Sequence, residues 1–165
     1  MCSNMALISK EIQDAFNDQI GKEIHSGYLY LSASLWLKEN SYNNLSHWFF
    51  VQYEEEMQHA FKIMNYVVDV GGHVTLPTIP EPRADWQSVK DIVDSAYAHE
   101  QLMTKNIHNL VTLTENVKDY NPRELLQWFV SEQIEEESSA EELVRKQGAF
   151  NNDMLFDQHT SRTAK

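Results

Sequence analysis

Four long stretches of the sequence have apolar residues at alternating steps of three and four, and residues that break helices lie almost only between these stretches. This spacing places the apolar side chains along one face of an α-helix. The predicted helices cover residues 8–39, 45–70, 88–114 and 122–147. With 5 glycines and 4 prolines in 165 residues, the chain lacks the turn residues that many short strands would need. We therefore predict an all-α four-helix bundle, with residues 1–165 forming a single domain.

The lengths of the connections predict how the helices are arranged. The first two helices are joined by a short turn, as are the last two, so each pair should be antiparallel. Residues 71–87 form a much longer connection with three of the four prolines. A helix of about 27 residues is about 40 Å long, whereas the 17 residues of this connection reach about 56–61 Å when extended. The connection can therefore cross the whole bundle and make the second and third helices parallel. Asn121 before Pro122 predicts the N-cap of the fourth helix.

The charge of the chain limits its partners. It has 13 basic and 25 acidic residues, which gives a net charge of −12. Such a surface repels nucleic acids and anionic membranes and attracts cations. The sequence begins without the basic and apolar regions of a signal peptide, and its longest apolar run, residues 48–51, is too short to cross a bilayer. One cysteine, Cys2, cannot form an internal disulfide. We therefore expect a cytoplasmic protein with no nucleic acid or membrane partner.

Polar residues interrupt the apolar faces near the helix middles: Glu23, Glu56, His59, Glu100, Gln133 and Glu136. In the predicted topology these side chains converge at one level of the bundle. A single core glutamate can reach solvent, but four cannot, because each buried unpaired carboxylate costs several kcal/mol and like charges repel. No lysine or arginine lies on these faces. The carboxyls are therefore protonated or bound to divalent cations, and oxygen ligands with one imidazole suit iron or manganese better than structural zinc.

These residues resemble the di-iron site of ferritin-like proteins, in which two helices each supply one glutamate and the other two each supply Glu-x-x-His. Glu23 and Glu100 resemble the single glutamates, and the run Glu-Met-Gln-His at 56–59 resembles one Glu-x-x-His. The fourth helix differs, since it has Gln-x-x-Glu at 133–136. Bacterioferritins keep Glu-x-x-His there, whereas ferritins have glutamine at the first position. The sequence is therefore most similar to prokaryotic non-haem ferritins.

This resemblance implies a ferroxidase centre. The ligands that it implies for the first iron are Glu23, Glu56 and His59. Glu56 would bridge to a second iron, whose other implied ligands are Glu100 and Glu136. Gln133 matches a glutamine that helps to position oxygen or water, and Tyr30 matches a tyrosine that supplies an electron to the oxygen intermediate. The alternative for Tyr30 is an ordinary core tyrosine.

The resemblance also implies a third iron site beside the first two. Its implied ligands are Glu55, Glu132, Glu135 and Glu136. The acidic run at 132–137 is the most family-specific stretch of the sequence. The alternative for the first three of these glutamates is a solvated acidic flank.

Ferritins of this type store iron. The resemblance implies oxidation of Fe²⁺ with O₂ or peroxide, iron as the only cofactor, no haem, and storage of ferric oxyhydroxide in a hollow shell of 24 identical subunits. Residues 152–158 resemble the start of the short fifth helix that lines a channel of that shell. A polar tail follows here, which leaves the geometry of the channel open.

Three other interpretations are possible. The chain could form a bacterioferritin-like shell with haem, since Met57 occupies the position of the haem-ligating methionine, although we interpret Met57 as a packing residue. It could be a ferritin-like di-iron oxidoreductase that acts on another substrate. The Gln-x-x-Glu pair at 133–136 argues against both, and one cysteine cannot supply the Cys-x-x-Cys iron site of rubrerythrins. The third is a metal-free structural bundle, which four buried carboxylates argue against.

Overall fold

The computed structural model describes residues 7–163, and this part of the chain contains helices but no strands. Cys2 lies outside the described residues. The five helices are α1 (Lys10–Glu39), α2 (Asn43–Asp69), α3 (Val89–Asn116), α4 (Arg123–Ala149) and the short α5 (Asp153–Gln158). Each helix in the described part is too short or too polar to cross a lipid bilayer. The predicted all-α fold, with four long helices and a short fifth, is confirmed.

The long connection between α2 and α3 runs along the side of α1. Near its start, the Asn17 side chain donates to the carbonyl of His73 at 3.0 Å and accepts from the backbone N–H of Thr75 at 3.1 Å. Near its end, the Ser32 hydroxyl donates to the carbonyl of Arg83 at 2.6 Å. Asn17 and Ser32 are about 22 Å apart along α1 at 1.5 Å per residue. The connection therefore crosses the bundle as predicted, and α2 and α3 run parallel.

The start of α4 differs from the prediction. Its N-cap is Pro122, without a side-chain hydrogen bond, and the helix begins at Arg123. The Asn121 side chain instead donates to the carbonyl of Leu7 at 3.0 Å. Asn121 as the N-cap was therefore wrong, because this side chain ties the N-terminal segment to the bundle.

Two apolar clusters fill the bundle on either side of one polar layer. One cluster takes its residues from the C-terminal half of α1, the start of α2, the start of α3 and the end of α4. The other takes them from the opposite halves of the same four helices. On each long helix, the polar residues of the layer lie between the two clusters; these are at positions 23, 56–59, 100 and 133–136. The antiparallel and parallel registers therefore bring these positions to a common level.

The short helix α5 docks against the start of α2. The Asp157 carboxylate accepts from the backbone N–H of Leu45 at 2.8 Å, and the Asp157 carbonyl accepts from the Asn44 side chain at 3.0 Å. Phe156 is buried in the adjacent apolar cluster. A carboxylate is favourable here because the first N–H groups of a helix have no partner within it and carry partial positive charge.

We expect Asp157→Ala to lower the stability of the protein by about 0.5–2 kcal/mol, which is the usual cost of losing a helix cap. Asp153 also lies on α5, but its side chain accepts from the Gln147 amide of α4 at 3.3 Å, so Asp153→Ala is a control that leaves the contact between Asp157 and α2 in place. Thermal unfolding of the two variants at equal protein concentration measures the difference. Equal melting temperatures would contradict the anchoring role of Asp157.

Candidate metal centre

Each of the four long helices contributes at least one buried polar side chain to the centre of the bundle. The carboxylates and the imidazole there are each at most 4 % exposed: Glu23 from α1, Glu56 and His59 from α2, Glu100 from α3 and Glu136 from α4. The structure therefore brings together the five residues that the sequence predicts as the di-iron ligands.

Glu23, Glu56 and His59 form one group that could hold a metal ion. The His59 Nδ1 atom lies 3.9 Å from a Glu23 oxygen and 3.7 Å from a Glu56 oxygen. One ligand atom from each residue lies within 4.8 Å of the others. Glu56 and His59 are three residues apart, which places them on the same face of α2.

A second group, whose ligand atoms also lie within 4.8 Å of one another, contains His59, Glu132 and Glu136. The His59 Nε2 atom lies 3.9 Å from a Glu132 oxygen. The rings of Trp128 and Phe129 pack edge-on against the imidazole, with centroids at 5.5 and 5.8 Å. These contacts orient the imidazole so that its two nitrogens face different carboxylates.

Hydrogen bonds hold Glu100 from two sides. The Tyr30 hydroxyl donates to one Glu100 oxygen. The Gln133 amide donates to the other at 3.3 Å. Burial, together with the nearby carboxylate of Glu100, raises the pKa of Tyr30 well above its usual value, so the phenol stays protonated.

Two glutamines that also bond to the cluster were not predicted from the sequence. Gln19 donates to Glu23 at 2.8 Å. Gln52 donates to Glu56 at 3.1 Å and to Glu136 at 2.8 Å, so it links α2 with α4. Each glutamine lies four residues before a central glutamate on the same helix, and this spacing was the available signal.

Burial raises the pKa of all four central glutamates. The pKa values of Glu23 and Glu56 lie well above the usual value, because burial and neighbouring carboxylates both disfavour a charge. The pKa of Glu100 is also raised by burial, although its hydrogen bonds act against the rise. Burial and the charge of Glu100 raise the pKa of Glu136 to about 7. Without metal, the cluster therefore retains protons near neutral pH.

The predicted third-site glutamates are only partly brought together. Glu55 and Glu132 line one cavity beside His59. Glu135 is exposed, and neither Glu55 nor Glu135 belongs to a compact group of metal-ligating atoms within residues 7–163. Glu55 is paired with Arg162 from the C-terminal tail. No local pattern in the sequence signals this contact.

Four long helices that each direct a carboxylate or imidazole into one buried layer define the class of helical bundles that can hold a pair of metal ions. The profile of the ferritin-like domain matches residues 13–148. The chain belongs to the ferritin family.

Relatives and solved structures support the same assignment. The bacterial non-heme ferritin of Campylobacter jejuni is 39% identical over 140 residues, which cover 85% of this chain and 84% of the relative. A probable bacterial non-heme ferritin-like protein of Haemophilus influenzae is 34% identical, with 79% of each chain covered. The open-pore ferritin of the hyperthermophilic archaeon Archaeoglobus fulgidus superposes with a TM-score of 0.92 at 37% identity, covering 96% of this chain and 99% of that chain. The predicted resemblance to prokaryotic non-haem ferritins is confirmed.

Proposed function

We propose that this protein is an iron-storage ferritin that oxidises Fe²⁺ at a di-iron ferroxidase centre within each subunit. The observation that carries this proposal is the buried layer in which His59 and the four central glutamates converge from all four helices. Glu23, Glu56 and His59 would hold the first Fe²⁺. Glu56 would bridge to the second, which Glu100 and Glu136 would also hold. Membership of the ferritin family and the bacterial non-heme ferritin relatives support the same function.

Charge balance favours two divalent ions in this layer. Four ionised glutamates carry four negative charges, which two Fe²⁺ neutralise. Because the pKa values of these glutamates are raised in the metal-free protein, iron must displace protons from the cluster when it binds. Bound metal therefore does what the protons do in the metal-free protein, which is to offset the repulsion between the four carboxylates.

The proposed reaction is a two-electron transfer from two irons to one oxidant. Each Fe²⁺ gives up one electron, and O₂ accepts both with two protons to leave as H₂O₂. If H₂O₂ is the oxidant, it accepts two electrons and two protons and yields two waters. The protein contributes mainly by holding both irons close together with a bridging carboxylate.

Tyr30 and Gln133 contact the second metal position through Glu100. Both donate hydrogen bonds to its carboxylate, so each would orient this ligand. We propose that Tyr30 supplies an electron, and its phenolic proton, when a third Fe²⁺ is also oxidised: three Fe²⁺ and Tyr30 then give four electrons, and O₂ accepts them with four protons to yield two waters. We also propose that Gln133 helps to position oxygen or water. A third iron would be held by Glu55, Glu132, Glu135 and Glu136.

The assembly is proposed by analogy with the family. A homo-oligomeric shell, with 24 subunits, would hold the ferric oxyhydroxide mineral. The net charge of −12 suits both the entry of cations and the nucleation of mineral. A cytoplasmic location stays a prediction.

The test is stopped-flow absorbance of anaerobic protein that is loaded with two Fe²⁺ per chain and then mixed with O₂. We expect oxidation much faster than in buffer, and we expect His59→Asn to slow it by at least about 10–100-fold, because the imidazole belongs to both ligand groups and even residues around metal ligands contribute that much. His47 is exposed and outside the centre, so His47→Asn is the matched control. Oxidation by the wild-type protein no faster than in buffer would refute the ferroxidase proposal.

A further inference from the structure

The C-terminal tail places one cation against the buried edge of the metal centre. The Arg162 guanidinium is paired with the Glu55 carboxylate and donates to the carbonyl oxygen of the Gln52 side chain. It lies 4.2 Å above the ring of Trp48. These three residues follow one another along one side of α2, so Arg162 contacts about two turns of this helix.

The tail is held in this position by a firm anchor. Asp157 binds the start of α2, and Phe156 is buried beside it. Thr160 is buried, and its hydroxyl donates to the Phe156 carbonyl at 2.8 Å. Only one residue, Ser161, lies between Thr160 and Arg162. The side chain of Arg162 is 12 % exposed and that of Glu55 is 9 % exposed, so water screens this ion pair weakly.

Arg162 also determines which way the Gln52 amide points. The Gln52 carbonyl oxygen faces the guanidinium, which can only donate. The Gln52 NH₂ group is therefore directed at the oxygens of Glu56 and Glu136. A guanidinium on the tail thus influences the orientation of two proposed iron ligands that it does not touch.

The carboxylates on this side have unused capacity to bind a cation. One oxygen of Glu55 and one of Glu136 are buried and have no hydrogen-bond partner among residues 7–163. The other Glu55 oxygen is occupied by Arg162. A divalent ion on the free Glu55 oxygen would lie close to the guanidinium on the same carboxylate, and the two cations would repel each other in this poorly solvated place.

We propose that Arg162 is a positioning residue that closes the Glu55 site in the metal-free protein and must leave before a third divalent ion binds there. This inference rests on the proposed function, because it concerns the third iron site. It adds that the tail controls whether the centre holds two ions or three. A site that is closed nine-tenths of the time binds its ligand about tenfold more weakly than an open one.

The test is equilibrium dialysis of metal-free protein against Zn²⁺, which binds oxygen and nitrogen ligands without redox chemistry. We expect two tightly bound ions per chain in the wild type, and a third that binds about tenfold or more tighter in Arg162→Gln. Arg162→Lys, which keeps the charge, should stay closer to the wild type. Lys62 lines the cavity that contains Glu55 and Glu132, so Lys62→Gln removes an equal positive charge near Glu55 and is the matched control. Circular dichroism and native mass check that each variant folds and assembles.

Limited digestion with trypsin tests the movement of the tail directly. Trypsin cleaves after arginine, and we expect cleavage after Arg162 to be slow without metal and faster once a third Zn²⁺ is bound. If Arg162 only stabilised the fold, Arg162→Gln would bind the third ion no tighter or more weakly, and either result would overturn the inference. An equal gain in affinity in Lys62→Gln would also overturn it, because the loss of any nearby positive charge would then explain the tighter binding. If the wild type bound no Zn²⁺ tightly, both the inference and the proposed metal centre would fail, whereas two tight ions with no gain in Arg162→Gln would refute the inference alone.

Discussion

Replacement of Glu56 by glutamine is expected to stabilise the metal-free protein while it removes rapid iron oxidation. Glu56 has three carboxylates for neighbours, and its raised pKa reflects the cost of a charge at this position. Glutamine has nearly the same shape and can still accept the hydrogen bond from Gln52. It cannot carry the charge with which Glu56 is proposed to bridge two irons. The two effects therefore have opposite signs, as expected where a site is built for function rather than stability.

The sizes of both effects can be bounded. One pKa unit corresponds to about 1.4 kcal/mol, and a change of about 1 kcal/mol shifts the melting temperature of a domain of this size by about 2–4 °C. We therefore expect Glu56→Gln to melt at a higher temperature than the wild type at pH 7.5 without metal, by about 2–4 °C for each kcal/mol of charge cost that the substitution removes. Oxidation of Fe²⁺ should slow by about 100-fold or more, since even residues around metal ligands contribute 10–100-fold.

Glu54 provides the matched control for this substitution. It lies two residues from Glu56 but is exposed. Glu54→Gln should change neither the melting temperature nor the rate of oxidation appreciably. Thermal unfolding of metal-free protein and stopped-flow absorbance measure the two properties separately. A lower melting temperature for Glu56→Gln would show that its carboxylate is not under electrostatic strain, and an unchanged rate would exclude it as the bridge.

The second large effect is expected in the pH dependence of stability. Burial raises the pKa of Glu136 from 4.5 to about 7, so the folded protein binds more protons than the unfolded chain between these values. The stability that protonated Glu136 contributes to the fold is fully present below pH 4.5 and is lost as the pH rises through 7. His99, whose pKa is lowered by burial to about 4, acts in the opposite direction up to its usual value of 6.5. A comparison with Glu136→Gln removes the His99 contribution, because both proteins contain it.

We expect the free energy of unfolding of Glu136→Gln, relative to the wild type, to increase by on the order of 3 kcal/mol from about pH 5 to pH 7.5. Denaturant unfolding of both metal-free proteins, at equal subunit concentration, measures this difference. A saturating divalent ion should reverse it, because metal replaces the protons on the wild-type carboxylates. A difference that does not change with pH would contradict the raised pKa of Glu136.

Much of the fold could be predicted because helical periodicity is a local property. Residues three and four apart meet on one helix face whatever surrounds the helix. The spacing therefore indicated the four long helices, and the length of the segment at 71–87 indicated that it crosses the bundle. The polar positions near the helix middles indicated the buried layer, because the energy of a buried carboxylate depends on depth and charge rather than on detailed contacts. Which of these residues bind iron stays a proposal.

The contacts that join distant parts of the chain could not be predicted from local spacing. The hydrogen bond from Asn121 to Leu7 depends on how the N-terminal segment meets α4, and it displaced the N-cap that the local pattern favours. Gln52 links α2 with α4 only because the packing places Glu136 within its reach.

The sequence alone determined the class of fold and the acidic layer at its centre, since both follow from residue type and from spacing along single helices. The tertiary structure alone decided which side chains hold that layer and which cation lies at its edge. Arg162 is 107 residues from Glu55, and nothing in the local pattern of either residue predicts their contact. It depends on the docking of α5 against α2 through Asp157, which sets the path of the tail. An ion pair of this kind is set by the three-dimensional position of two side chains, which local spacing does not encode.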